Sequence, residues 1–280
     1  MMSDISHPLA FSDAPLGGLP AADTTLLANA PLEVAICEVR FTAESIVVSV
    51  EAAERVRNAL SESLDIDFPN IQPAAQNTME INLNAGGASW SGDETKGWQI
   101  ASATGQHSAT VFPGSVIWQV AEYQRWSVSM RRPLEILLRA VATDLSPSLI
   151  QRIGLRYVDR FVDRSCLRPE DWKGKIDATL LGPIGNPVFG PLITGAQQQL
   201  EVALDGRHGA VLRHGPIPDP ASKSINYLLD LDTYANAAWP FRVEEVLDTA
   251  EGLNRSALSL FQACVSSDYL KSLQGEEQSS

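Results

Sequence analysis

The pattern of apolar and polar residues predicts short β-meanders, with one helix at the end of each half of the chain. The segment Leu32–Phe41 is rich in aliphatic residues and predicts a strand. Residues 50–64 place apolar side chains at helical spacing, with Glu and Arg opposite, and predict an amphipathic helix. A helix over residues 127–145 ends the first half, and Pro133 must kink it or set its start because proline has no N–H to donate. Between the two helices, glycine and proline turns separate four shorter strands, which we predict at 78–84, 98–103, 108–112 and 116–120.

The second half repeats this order of elements. It opens on the strand Leu149–Phe161, and a Gly- and Pro-rich loop at 182–195 follows. A single long helix over 241–273 ends it, with a stripe of apolar residues at three-and-four spacing. The three strands that precede this helix are predicted at 194–204, 209–214 and 224–233.

These elements predict an α+β fold made of two antiparallel β-meander halves, each closed by a helix. The predicted halves are residues 29–146 and 147–273. Residues 1–28 lack periodicity and predict a flexible leader, and residues 274–280 predict a frayed tail.

An internal duplication is a hypothesis that the opening strands of the two halves support. The first strand contains Val39-Arg40-Phe41, and the first strand of the second half contains Asp159-Arg160-Phe161.

Neither half contains a glycine-rich strand–turn–helix, which argues against a Rossmann or P-loop nucleotide site.

Composition narrows the class of protein further. Of the 280 residues, 44% are hydrophobic and 20% are charged, which is enough apolar sequence for a folded core. The net charge of −13 disfavours a nucleic-acid surface. There is no apolar run of the roughly 20 residues that a membrane span needs, and no secretory signal, so we expect a cytoplasmic protein.

Cysteine and histidine spacing predicts no cofactor and no metal. Cys37, Cys166 and Cys264 are far apart and form no CxxC pair, so we expect free thiols in a reducing compartment. His208 and His214 lie six residues apart among glycines, which favours a hairpin over a metal site.

Four sequence segments carry a family resemblance, and together they span about residues 29–272. They are residues 30–41, Arg152-Ile-Gly-Leu-Arg-Tyr-Val-Asp-Arg160, Leu228-Leu-Asp-Leu-Asp232, and the last helix with Leu253-Asn-Arg255 and Leu260-Phe261. They resemble a sporadically distributed bacterial family of uncharacterised proteins of about this size, which have no assigned activity. The resemblance implies a fold and a patchy distribution, which suggests a mobile-element or anti-phage context, and it implies no reaction.

Two residues depart from the pattern of that family. Asp159 stands where the family more often has Asn, and Asn254 stands where a His is expected in the last helix. If that His were catalytic in the family, this chain would be inactive or would act differently.

The strand at 149–161 carries the strongest candidate for a binding site. Side chains alternate along a strand, so Arg152, Arg156 and Arg160 share one face. Three arginines on one face need acidic partners or an anionic ligand. The first strand adds Arg40 to the candidate anion-binding residues, and the candidate acidic partners are Glu38, Asp230 and Asp232.

Two interpretations of these residues remain open. A cross-strand arginine–carboxylate ladder is one, and a charged groove that binds phosphate or another anion is the other. A triphosphate-tunnel enzyme is disfavoured, because Glu33 and Glu38 lie five residues apart rather than two. An aromatic nucleic-acid platform at Trp118, Tyr123 and Trp126 is disfavoured by the acidic composition.

The sequence therefore favours a cytoplasmic interaction protein that lacks catalytic residues and binds another protein or a second copy of itself. An anionic small molecule remains an alternative ligand, while nucleic acid and membrane are not expected. The alternative function is a phosphate- or nucleotide-processing enzyme with an arginine- and carboxylate-lined groove.

Overall fold

The computed structural model describes the backbone at residues 14–45, 47–84 and 87–275. It describes the side chains of these residues apart from 77–84, 87–93 and 237. Within these residues the chain is α+β, as predicted, with one antiparallel sheet and helices packed on it.

The sheet contains nine described strands in the order β2-β3-β4-β5-β1-β6-β9-β8-β7. The strands are β1 (Leu32–Ala43), β2 (Asn70–Asn84), β3 (Gly87–Ala101), β4 (His107–Phe112), β5 (Ser115–Val120), β6 (Pro147–Phe161), β7 (Gln198–Ala203), β8 (His208–Pro218) and β9 (Ile225–Pro240). Every neighbouring pair is antiparallel.

The described part of the chain also contains five α-helices. They are α1 (Val50–Leu64), α2 (Arg132–Leu145), α3 (Ala178–Leu181), α4 (Val243–Cys264) and α5 (Ser267–Gln274). Short 3-10 helices lie at Leu16–Gly18, Pro169–Trp172, Gly182–Gly185 and Gly190–Leu192. None of the helices in the described part of the chain is long and apolar enough to cross a membrane.

The two halves join at the centre of the sheet, where β1 pairs with β6. In each half the last strand returns to pair with the first, β5 with β1 and β9 with β6, and a helix then follows. This shared topology is what an internal duplication would produce, and the duplication itself stays a hypothesis.

All the larger helices cover one face of the sheet and bury two apolar clusters. One cluster lies under α1, α2 and the first part of α4, and the other lies under the rest of α4 and the segment that contains Trp172. Because α4 contributes Leu253 to the first cluster and Ala257 to the second, this helix ties the two halves together.

The two helices of the first half lie where the sequence predicts them. Ser49 caps α1, since its Oγ accepts a hydrogen bond from the amide of Ala52 at 3.2 Å. A π-helical turn at Ser127–Arg131 runs directly into α2, and both Arg131 and Arg132 have helical backbone angles. Pro133 therefore lies inside one helical segment over 127–145 and does not set its start.

The prediction of a single helix over 241–273 is wrong, because α4 ends at Cys264 and α5 begins at Ser267. Tertiary contacts hold the chain extended between them. The amide of Asp177 donates to the carbonyl of Cys264 at 2.9 Å, and the amide of Ser266 donates to the carbonyl of Lys175 at 2.8 Å. A segment distant in sequence thus takes the backbone groups that a continuous helix would have used.

The leader predicted at 1–28 is held in place over its described residues, which begin at 14. The amide of Leu16 donates to Ser256 Oγ at 2.9 Å, and Ser259 Oγ donates to the carbonyl of Pro20 at 2.8 Å. Further along α4, Gln262 Nε2 donates to the carbonyl of Asp23 at 2.7 Å. Polar positions of α4 beside its apolar stripe therefore bind this segment. Residues 1–13 lie outside the described part of the chain.

Of the frayed tail predicted at 274–280, Gln274 completes α5. Its Nε2 donates to Asp23 Oδ2 at 2.8 Å, which joins the end of α5 to the leader. Residues 276–280 lie outside the described residues.

Strands β2 and β3 are longer than predicted. The strand predicted at 78–84 begins at Asn70, and Pro73 lies inside it opposite Trp98. An edge strand tolerates proline because one side of its backbone has no partner strand. The β2–β3 ribbon also brings Gly97 against β4, since a Cβ atom on Gly97 would lie 2.2 Å from the carbonyl oxygen of Val111.

We expect Gly97→Ala to destabilise the protein by about 1–3 kcal/mol, the usual cost of overpacking a tight site. The added methyl group would also lie 2.5 Å from the Phe112 ring, and the backbone atom cannot move aside alone. Urea denaturation measures the change. Gly185→Ala is the matched control, because no atom lies within 4 Å of the added methyl group there. Equal stability of the two variants would contradict the close approach.

Candidate functional site

The face of the sheet opposite the helices carries the charged residues of the central strands. Along β6 the residues Ile153, Leu155 and Phe161 point to the helices and are buried, whereas Arg152 and Arg156 point the other way. No described helix covers this second face, which we call the open face.

Arg152 lies at the middle of the open face and joins three strands. Its guanidinium donates to Glu38 Oε2 on β1 at 3.4 Å and to Asp232 Oδ2 on β9 at 3.1 Å. It also lies 5.3 Å from the centre of the Tyr234 ring, a cation–π distance. Gly154 makes room for this position, because a Cβ atom there would lie 2.2 Å from Arg152 Nη1.

Arg156 forms the tightest pair of the open face. Its Nε and Nη2 donate to the two carboxylate oxygens of Asp230 at 2.6 and 2.7 Å, a bidentate geometry. Arg213 on β8 approaches the same carboxylate at 3.7 Å, and Asp230 is only 5% exposed beneath the two arginines. The hydrogen bonds to Asp230 raise the pKa of Arg156 above its ordinary value.

The other two predicted arginines lie at opposite ends of the face. Arg40 Nε contacts Glu38 Oε1 at 3.0 Å, while Arg160 pairs with Glu33. The connected set runs across four strands, and we call it the ladder. The ladder consists of Arg40, Glu38, Arg152, Asp232, Arg156, Asp230 and Arg213.

Charges within the ladder nearly cancel. Four arginines face three carboxylates, which leaves a net charge of +1. Burial raises the pKa of Asp232 above its ordinary value, although Arg152 acts in the opposite direction. The ladder arginines therefore form most of their ion pairs with the protein's own carboxylates.

Half-buried apolar side chains lie beside the ladder on the same face. The strand register places five of them directly opposite ladder residues or opposite one another, and places Leu228 opposite Arg160. They are Val34, Ile36, Ile117, Val158, Val211 and Leu228. The open face thus combines apolar area with arginines and one tyrosine.

All seven residues named from the sequence lie on this face, and the predicted cross-strand pairing of the β6 arginines is present. The anion-binding role of the arginines stays a prediction. Sequence reasoning missed Arg213 and Tyr234 as members of the site. The alternation of β8 and β9 could have placed both on the open face, since Arg213 pairs in register with Asp230 and Tyr234 with Gly154.

The described cysteines and histidines are not grouped into a second site. Cys37, Cys166 and Cys264 are buried free thiols, as predicted, and burial raises the pKa of Cys37 to about 12. His208 contacts Asp205 in the β7–β8 turn, and His214 Nδ1 contacts the hydroxyl of Tyr227 at 2.8 Å. Among the described residues, no three His, Cys, Asp or Glu side chains are grouped to hold a metal ion.

The aromatic residues considered as a nucleic-acid platform do not form an exposed surface. Trp118 is fully buried and donates from Nε1 to the carbonyl of Ser129 at 2.8 Å. Tyr123 and Trp126 pack against the core, and Arg131 pairs with Glu251 at 2.7 Å. Trp118 therefore offers no ring for base stacking, and Tyr123 and Trp126 are only partly exposed.

Asp159 and Asn254, the two departures from the family pattern, lie on the helix side of the sheet. Asn254 Oδ1 accepts a hydrogen bond from the hydroxyl of Tyr157 at 2.7 Å, which joins α4 to β6. Asp159 is 5% exposed, and burial raises its pKa to about 8. A protonated Asp159 is close to the Asn of the family pattern, because both are neutral and can donate a hydrogen bond.

A scan against protein-family models finds no family that matches the chain, and a search of curated proteins finds no significantly similar sequence. The resemblance to the bacterial family therefore stays a proposal.

We expect Asp159→Asn to stabilise the protein increasingly as the pH rises from about 4 to about 8. The folded protein holds the proton up to a pKa of about 8, whereas the unfolded chain releases it near its ordinary value of about 4. The wild type therefore loses stability across this interval, at up to about 1.4 kcal/mol for each pH unit. Because Asn does not titrate, the Asp159→Asn protein does not lose this stability.

Thermal unfolding of both proteins between pH 5 and pH 9 measures this difference. Asp67→Asn, at an exposed position, is the control for removing one negative charge. If Asp159→Asn and the wild type keep a constant difference in Tm across the range, Asp159 is already ionised in the folded protein.

Proposed function

We propose that this chain is a binding protein that recognises another protein through the open face of its sheet. The observation that carries the proposal is the one-sided cover of the sheet, which leaves the ladder and its apolar neighbours uncovered by any described helix. Arginine and tyrosine beside apolar area is the composition typical of protein interfaces.

The charge balance of the ladder favours a protein partner over a phosphate compound. A phosphate or nucleotide site needs several uncompensated cations, whereas Arg152 and Arg156 already bind Asp232 and Asp230. Carboxylates on the same face would repel a polyanion. A protein surface can offer both charge signs and apolar side chains.

The proposal also includes a location and a biological context. Three buried free thiols fit a reducing compartment, so we propose a cytoplasmic location. The bacterial family and its mobile-element or anti-phage context rest on the sequence resemblance alone.

Photo-crosslinking tests the open face directly. A benzophenone amino acid at Gln119, which is exposed on β5 beside Ile36, is expected to crosslink a specific protein in the cells that make this chain. The same group at Glu54, exposed on α1, is the control on the helix side.

The double substitution Val158→Asn and Leu228→Asn is expected to lower that crosslinking several-fold with little change in Tm, because both side chains are only half-buried. Arg156→Ala is a poorer test, since it leaves the buried Asp230 without its bidentate partner. Equal crosslinking from Gln119 and Glu54, or no effect of the double substitution, would count against the open face as the interface.

The enzyme alternative is tested by thermal shift with nucleotides, triphosphate and polyphosphate, each with and without divalent metals. A ligand at a hundred times its dissociation constant stabilises a protein by about 2.7 kcal/mol, which such a measurement detects. We expect no shift. A clear shift with a phosphate compound that disappears in Arg156→Lys would favour the phosphate-processing enzyme instead.

A further inference from the structure

A depression of about 420 Å³ lies on the open face at the Arg40 end of the ladder. The end of β1, the β2–β3 ribbon and the β4–β5 turn surround it, with Phe112 among the lining residues. Its neutral polar lining comes from amide and hydroxyl side chains, including Gln76, Gln151, Ser45 and Thr95.

Among the described residues that line the depression, Arg40 is the only charged one. Its side chain is 48% exposed, and its single ion pair in the ladder runs from Nε to Glu38. Glu38 also accepts a hydrogen bond from Arg152, so two arginines share this carboxylate. The terminal nitrogens of Arg40 can therefore donate to another acceptor.

The ladder has a net charge of +1 and ends on an arginine at each side, Arg40 here and Arg213 on β8. At this end Arg40 and Arg152 share the single carboxylate of Glu38, so Glu38 alone does not neutralise both. A monoanion restores the balance, whereas a dianionic phosphate would exceed it close to Glu38. A carboxylate accepts the two parallel hydrogen bonds that a guanidinium offers.

We propose that the depression at Arg40 binds an Asp or Glu side chain from an acidic segment of the partner protein. The amides of Gln76 and Gln151 can both donate and accept hydrogen bonds, so they suit the peptide groups beside that side chain. The inference rests on the proposed function, since it names the charge that the open face recognises.

A displayed library of random 12-residue peptides, selected on the immobilised full-length protein, tests the inference. We expect enrichment of peptides that contain Asp or Glu. A selected peptide should bind Arg40→Met about tenfold more weakly than the wild type, as expected for the loss of a charge-assisted hydrogen bond. The peptide with its acidic residue changed to Asn or Gln should lose a similar factor.

The two changes should not add, because each removes the same contact. Arg57→Met, on α1 of the opposite face, removes one positive charge and is expected to leave binding unchanged. Arg40→Lys should restore part of the affinity, since it keeps the charge and loses the planar guanidinium. Tm values of all variants exclude unfolding as the cause.

Enriched peptides that lack carboxylates, or equal binding to the wild type and Arg40→Met, would overturn the inference. If Gln119 still crosslinks a partner in that case, the proposed function stands and only the role of the depression fails. If neither crosslinking nor enrichment occurs, the proposed function fails as well.

Discussion

The pairing of β1 with β6 is the interaction on which the rest of the structure depends. These two strands lie side by side at the centre of the sheet, and each half adds its remaining strands outward from them. Because the pairing makes one sheet of two meanders, the apolar faces of both halves point the same way. Helix α4 can then cover both, with Leu253 in one cluster and Ala257 in the other.

Because the helices cover only one face of the sheet, the side chains of the opposite face must be compatible with solvent. An antiparallel sheet tolerates solvent on one side when its outward side chains are polar or paired. Here arginines of β6 and carboxylates of β9 form diagonal ion pairs, Arg152 with Asp232 and Arg156 with Asp230, so they neutralise each other across the strands. The acidic character of the whole chain is thus absent from the ladder, whose net charge is +1 while that of the protein is −13.

The helix side of β6 holds a different kind of polar group. Tyr157 is hydrogen-bonded to Asn254, and Asp159 is buried with a raised pKa. These residues connect β6 to its covering layer, whereas the arginines of the same strand face outward. Because side chains alternate along β6, one set is buried under the helices and the other lies on the open face.

The sequence by itself determined the α+β class, helix α1, the helical segment at 127–145 and the two faces of β6, because each depends on local spacing, capping or alternation. It also identified three of the four arginines and all three carboxylates of the ladder, since their positions on a strand decide which face they share. The tertiary structure alone decided the rest. Strand register brought Arg213 into the ladder and Tyr234 beside it. Hydrogen bonds with Lys175 and Asp177 separated α4 from α5, and polar residues of α4 bind the segment 16–23. These features depend on contacts between residues far apart in the chain, which no local pattern contains.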